Sequence, residues 1–175
     1  MTNEPKTVVH SQPLAASALP LLHKWLNEPH LKPFYMQEDM TADEVSTKFK
    51  PRLSGDHPCR SLIFNYQGEP FGYLQWYLNR SFPEYGVALL DEPDGVSFDY
   101  FIGNTKYLGQ GLGPIMLRKA IMTVSPQIAL RDQTFFVLHQ IENHKAVNCS
   151  ERAGFSLQRS VEDDGKASAL YSRKA

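Results

Sequence analysis

The stretch YLGQGLGPIML, residues 107–117, constrains the fold of this chain more than any other. Gly109, Gly111 and Gly113 stand at alternate positions, Pro114 follows at once, and an apolar run comes next. Glycine inside a helix costs about 1 kcal/mol against alanine, and proline about 3. Both are tolerated where a helix begins. The N–H that proline lacks is unpaired there anyway, and glycine lets backbone turn sharply or approach a partner. The preceding run, VSFDYFIG, reads as a strand. Strand, glycine loop and helix start in that order aim free N–H groups and the positive end of a helix dipole at one point, which makes an anion site. The loop ends Gly-Leu-Gly-Pro, so it lacks the lysine and hydroxyl of a nucleoside-triphosphate loop. Its Gly-x-Gly-x-Gly spacing, late in the chain, is not the dinucleotide fingerprint either. On these residues alone, a tight turn that binds nothing stays open beside the phosphate site.

The rest of the chain breaks into short elements. Thr7 to His10 reads as a first strand. Leu19, Leu22, Trp25 and Leu26 lie near helical spacing, with Ser17 as a candidate cap. Thr41 and Glu44 form a capping box that opens a second helix ending near Pro51. RSLIFNYQGEPFGYLQWYLN predicts a hairpin around a Gly-Glu-Pro turn. After an irregular stretch from 80 to 95 come the VSFDYFIG strand, a helix over 113–124, the strand QTFFVLHQ, and a helix from Asn143 closed by Gly154. A terminal hairpin turns at Asp163-Asp164-Gly165. The order β-αα-ββ-β-α-β-α-ββ predicts an α/β (α+β) fold: a mixed, mostly antiparallel sheet of about seven strands flanked by about four helices, in a single domain over 1–175.

Net charge is −1, so no global basic field draws nucleic acid or an anionic membrane, and local groups must hold any anion. No apolar run reaches the roughly 18 residues of a membrane span, and the N-terminus lacks a signal-peptide layout. Cys59 and Cys149 are too few for a disulfide framework. These features predict a cytoplasmic protein with two separate thiols.

About 30 residues after the glycine loop comes ENHKAVNCSERAGF. Gly111-Leu112-Gly113, then Asn143 and Ala146, then Gly154-Phe155 together resemble the GNAT acyl-CoA N-acyltransferases. That family has a pyrophosphate loop, then Asn-x-x-Ala, then a helix ending x-x-Gly-Phe. WLNEPHLKPFY, GEPFGYLQWY and FDYFIG with LGQGLG further resemble the aminoglycoside 6′-N-acetyltransferases. Siderophore-pathway hydroxylysine acyltransferases are relatives of that branch. The resemblance implies acetyl-CoA as co-substrate, held by Phe101, Ile102, Leu108, Gly109, Gln110, Gly111, Leu112, Gly113, Pro114, Asn143 and Ala146. Leu108 stands where the family carries Arg or Gln.

The implied reaction is attack of a primary amine on a thioester, by direct transfer in a ternary complex. An alkylammonium with a pKa near about 10 must first lose a proton, so a base is needed. Asp99 sits mid-strand among aromatics, an unusual place for an acid, and the resemblance makes it a candidate base and a substrate contact. Alternation puts Ser97, Asp99 and Phe101 on one face, and Val96, Phe98, Tyr100 and Ile102 on the other. Phe34 and Tyr35 match an aromatic pair lining the sugar site, with core packing as the rival reading. Asp164 matches a substrate-side aspartate, although Asp-Gly is also a good turn. His139 is a candidate substrate contact or base; with His144 it lacks a third ligand, so no metal is expected. Cys149 reads as helix packing rather than a nucleophile, and Arg118 and Lys119 as phosphate helpers or a solvated face.

The chain departs from the family at two further positions. The helix tyrosine that protonates the departing thiolate is Ser150 here, a shorter hydroxyl that stands with Asp99 as a catalytic candidate, and a second substrate-site aspartate is Leu138. The acidic run Glu84, Asp91, Glu92, Asp94 and Asp99 either attracts a polycation or is simply solvated. The sequence therefore predicts acetyl transfer to a small-molecule amine of aminoglycoside-like or polycationic type, hence antibiotic resistance, with no nucleic-acid or membrane partner, by a monomer or homodimer. A hydroxylysine acceptor and a non-catalytic CoA-binding module are the alternatives.

Overall fold

The computed structural model describes residues 8–83, 92–129 and 132–175. Seven strands form one sheet: β1 (Val9–Pro13), β2 (Arg60–Tyr66), β3 (Glu69–Leu78), β4 (Val96–Ile102), β5 (Thr134–Gln140), β6 (Ser156–Asp163) and β7 (Lys166–Lys174), in spatial order β1-β2-β3-β4-β5-β7-β6. The helices are α1 (Leu19–Leu26), α2 (Ala42–Phe49), α3 (Leu112–Val124) and α4 (His144–Arg152). The predicted order and mixed sheet are both present. Among the described residues, no helix is long and apolar enough to cross a membrane.

Local chemistry sets the ends of these elements. The Thr41 hydroxyl accepts from the Glu44 N–H at 3.2 Å, and the Glu44 carboxylate accepts from the Thr41 N–H at 2.7 Å, which closes the capping box. Gly154, at φ +91°, ends α4. Two expectations need correction. The β2–β3 turn is Gln67-Gly68, both left-handed, and Glu69 and Pro70 already belong to β3. Left-handed pairs of this kind match the twist of the strands they join. Ser17 does not cap α1: a 3₁₀ turn over Ala16–Ala18 leads into the helix, and Pro20 sits in its first turn. The first strand begins at Val9, and Thr7 lies outside the described residues.

Alternation sends successive side chains to opposite faces, and each face has its own core. On one side Leu62, Phe64, Leu74, Phe98, Phe135 and Val137 pack against Met116, Leu117, Ala120 and Ile121 of α3. On the other, Ile63, Tyr73 and Phe101 pack against Leu22, Trp25 and Leu26 of α1 and Val45 and Phe49 of α2. Every neighbouring pair of strands is antiparallel except β4 and β5. Those two pair in parallel only at Val96↔Phe135 and Ser97↔Phe136. Beyond Ser97 they diverge, leaving an opening in the middle of the sheet that connects its two faces.

Candidate active site

The opening widens into a cavity of about 1300 Å³. Ordinary small-molecule sites enclose about 300–1,000 Å³, so this one has room for two reactants at once. Its lining comes from β4, β5, the starts of α3 and α4, the segment after α1, the end of α2 and the β6–β7 turn.

On the α3 side the glycines answer to different demands. Gly109 and Gly111 both have φ +74°, a left-handed backbone that side chains resist. Among the described residues, the N–H groups of Gly109, Gln110 and Gly111 have no hydrogen-bond acceptor. Gly113 is different: a Cβ there would lie 2.7 Å from Cys149 Sγ, so this glycine lets α3 and α4 approach. Gly111 caps α3, with Leu112, Gly113 and Pro114 as its first turn. Leu108 is exposed, and the Gln110 amide donates to the Lys106 carbonyl at 2.7 Å. The start of α4 faces the same cavity, with Asn143 as its cap accepting from the Ala146 N–H at 3.2 Å. Arg152 went unnoticed in the sequence; its guanidinium lies 3.9 Å from where a Cβ on Gly111 would be. Arg118 donates to the Arg152 carbonyl at 2.8 Å.

On the α1–α2 side stands Asp99. It pairs across the strands with Gln75, whose amide donates to Asp99 Oδ2 at 2.7 Å. The Gln75 oxygen in turn accepts from Arg52 and from the Tyr73 hydroxyl, and Tyr73 and Ser61 share a hydrogen bond of 2.8 Å. Burial raises the Asp99 carboxyl above the usual carboxylate range, and the Gln75 hydrogen bond and Arg52 pull against that. The Tyr35 ring meets Phe101 edge-on at 4.7 Å, and Phe34 is exposed at the rim. Asp164 lies at the mouth, in the left-handed turn before Gly165, together with Glu162 and Asp163. Of the acidic run, Glu84 and Asp91 lie outside the described residues, Asp94 pairs with Arg80 away from the cavity, and Asp99 alone of the described members lines it. Leu138 forms an apolar patch with Phe136 and Leu170 on the opposite wall. Lys48 and Arg52 also line the cavity, and among the described residues neither has a carboxylate within ion-pairing distance.

Ser150 is fully buried on α4. Its hydroxyl lies 2.7 Å from His139 Nε2 and 3.1 Å from the Tyr100 hydroxyl. His139 therefore faces α4 rather than the Asp99 wall, and burial pushes its pKa down to about 4, so it is neutral at pH 7. Cys59 and Cys149 are both free thiols, each pushed up by burial, Cys59 to about 11.

Comparison with known proteins narrows what this arrangement is. Residues 15–163 match the family model described as acetyltransferase (GNAT) domain. Aminoglycoside N(6′)-acetyltransferase type 1 from Klebsiella pneumoniae is 27% identical over 147 residues, covering 82% of this chain and 71% of that protein. The Serratia marcescens protein of the same name matches equally. The crystal structure of aminoglycoside acetyltransferase AAC(6′)-Ib with coenzyme A and kanamycin superposes with a TM-score of 0.80 at 23% identity, over 95% of each chain. Spermidine N-acetyltransferase from Vibrio cholerae, with CoA and spermine, gives 0.73 at 17% identity, again over 95% of each. A split sheet, a glycine loop at one helix start and a second helix start facing it thus coincide with the family match, and the chain belongs to the GNAT acetyltransferases.

Proposed function

We propose that this chain transfers an acetyl group from acetyl-CoA to a primary amine of a small molecule, directly and with both reactants bound. The observation that supports this best is the opening between β4 and β5, which joins the glycine loop on one face to Asp99 on the other. The free N–H groups at 109–111 and the start of α3 suit the pyrophosphate, with Arg152 beside them. Phe101, Ile102 and Ala146 line the slot that leads inward, and Asn143 shapes the helix start at its edge. Asp99 takes the amine proton, directly or through a water, and its raised pKa brings it closer to the task. Tyr35 and Phe34 give the acceptor an aromatic wall, and Glu162, Asp163 and Asp164 a negative rim that suits a cation.

An aminoglycoside amine is the first acceptor to test, given the relatives. A specific observation supports a second class. Leu138 is apolar where a cationic sugar would need a partner, and Lys48 and Arg52 offer unpaired positive charge on the same wall as Asp99. An amine that also carries a carboxylate, of the hydroxylysine type, fits those charges. CoA-thiol release from acetyl-CoA, measured against kanamycin-type aminoglycosides, polyamines, hydroxylysine and peptides, separates the two. Turnover confined to aminoglycosides and polyamines supports the polycation. Turnover with hydroxylysine, lost on Arg52→Met, supports the carboxylate-bearing acceptor. Acetyl-CoA binding with no turnover on any amine would make the chain a binding module.

A further inference from the structure

Breaking a thioester leaves negative charge on sulfur, and the cleft has to meet it with a donor. Alternation divides the candidates. Asp99 faces α1 and α2, where the Tyr73 hydroxyl is already engaged by Ser61 and Gln75. Tyr100, the next residue, faces α3 and α4 and lines the cavity just beyond the last β4–β5 pair. A thioester reaching from the glycine loop to Asp99 must pass between these two side chains. Ser150 is sealed from solvent, so its own hydroxyl does not open on the slot. Tyr100 lines the cavity itself, and its hydroxyl is held by Ser150 Oγ at 3.1 Å and the Ala146 carbonyl at 3.4 Å, with Ser150 Oγ in turn 2.7 Å from His139 Nε2. The His139 ring also packs edge-on against the Tyr100 ring, with centroids 5.7 Å apart.

We infer that the Tyr100 hydroxyl donates to the departing sulfur, with Ser150 and His139 as the residues that position it. This rests on the acyl-transfer reading above. The amine nitrogen bonds to the carbonyl carbon, the C–S bond breaks, and sulfur keeps the electron pair. Sulfur takes the phenolic proton as the Ser150 hydroxyl turns its hydrogen to the phenolate oxygen and His139 Nε2–H donates to Ser150 Oγ. The amine proton passes through Asp99 to water, and a proton from water restores the phenol after CoA leaves. Burial raises the pKa of the phenol, which disfavours the phenolate, so the hydrogen bonds from Ser150 and His139 must offset that cost as the proton leaves.

Hydroxylamine makes the test independent of the acceptor site, because it is small and largely neutral at pH 7. CoA-thiol release from acetyl-CoA with hydroxylamine, corrected for the uncatalysed rate, reads sulfur expulsion in the full chain. Tyr100→Phe keeps the ring packed and removes only the hydroxyl. It should lower kcat about 10- to 100-fold, with KM for acetyl-CoA and the calorimetric Kd for CoA within about twofold. Ser150→Ala should lower kcat less, about 3- to 10-fold, because the Tyr100 hydroxyl itself remains. An unchanged kcat in Tyr100→Phe would overturn the inference, as would a loss that tracks CoA affinity, or a wild type that does not accelerate hydroxylamine. Failure of the amine panel alone would instead count against the acceptor reading.

Discussion

At the scale of single residues, the two titrating groups respond to pH in opposite ways. Asp99 has a raised pKa in the fold, so the folded state favours its protonated form. Its contribution to stability is present at low pH and is lost as pH rises through the folded value. Activity runs the other way, because the base must be ionised. The acid limb of kcat/KM should therefore sit above the ordinary carboxylate value of about 3.9, and Asp99→Asn should abolish it along with most turnover on basic amines. A pH–rate profile of wild type and variant checks this. His139 is lowered from 6.5 to about 4 by burial. Stability held through its neutral form is present above 6.5 and drains away as pH falls to 4, by up to about 3 kcal/mol. His139→Gln should flatten that window in urea unfolding series run between pH 7 and 4. Asp99 was legible because an acid between two aromatics in a strand is conspicuous. Gln75 and Tyr100 were not, because what matters about each is a partner that only folding brings near: one across the strand, the other on α4.

Among elements, the junction of α3 with α4 carries the sharpest constraint. Gly113→Ala places a methyl 2.7 Å from Cys149 Sγ, inside any tolerable contact. Overpacking of this kind costs about 1–3 kcal/mol, against which alanine regains up to about 1 in helix propensity. The melting temperature should fall, and Cys149→Ala in the same chain should restore part of the loss. A double-mutant cycle that shows simple additivity would exclude the contact. Gly111→Val should act differently. Its surroundings are open, so stability should drop by only about 1–2 kcal/mol for the left-handed φ, while CoA affinity falls more than tenfold as the loop N–H groups turn away. Calorimetry with CoA would show it. The sequence placed all three glycines in the loop without dividing these roles, because spacing along a chain does not disclose what packs across it. Turn positions were similarly off by a residue or two: Gly-Glu-Pro looked like a bend, yet Gln67-Gly68 holds the left-handed pair and Pro70 lies in the strand.

For the whole molecule, element order and topology were readable from hydrophobic periodicity and turn residues, since both cores depend on strand alternation. The walls of the cavity were less so, because they come from segments far apart in sequence. Lys48 and Arg52 end up facing the same space as Asp163, and no local pattern announces that. Acceptor choice therefore belongs at this scale. Leu138 is only half-buried on the cavity wall, so Leu138→Asp should fold, and it should raise kcat/KM for kanamycin-type amines by about tenfold if the acceptor is a polycation. Competition between kanamycin and hydroxylysine, in wild type and variant, measures the shift.

The sheet that makes the slot is also two antiparallel halves, β1 to β4 and β5 with β7 and β6, joined at only two residue pairs. Every pairing within a half runs along most of its strands, whereas the join rests on two residue pairs and should be the first to open. Backbone amides near Ser97 and Phe136 should exchange their hydrogens through partial openings, well before those in the middle of β2, β3 or β7. A CoA molecule lying between the halves would act as the missing rungs of that ladder, slowing exchange on both strands at once. Substrate would then serve as a structural member of the sheet, and the empty enzyme would be the looser of its two forms.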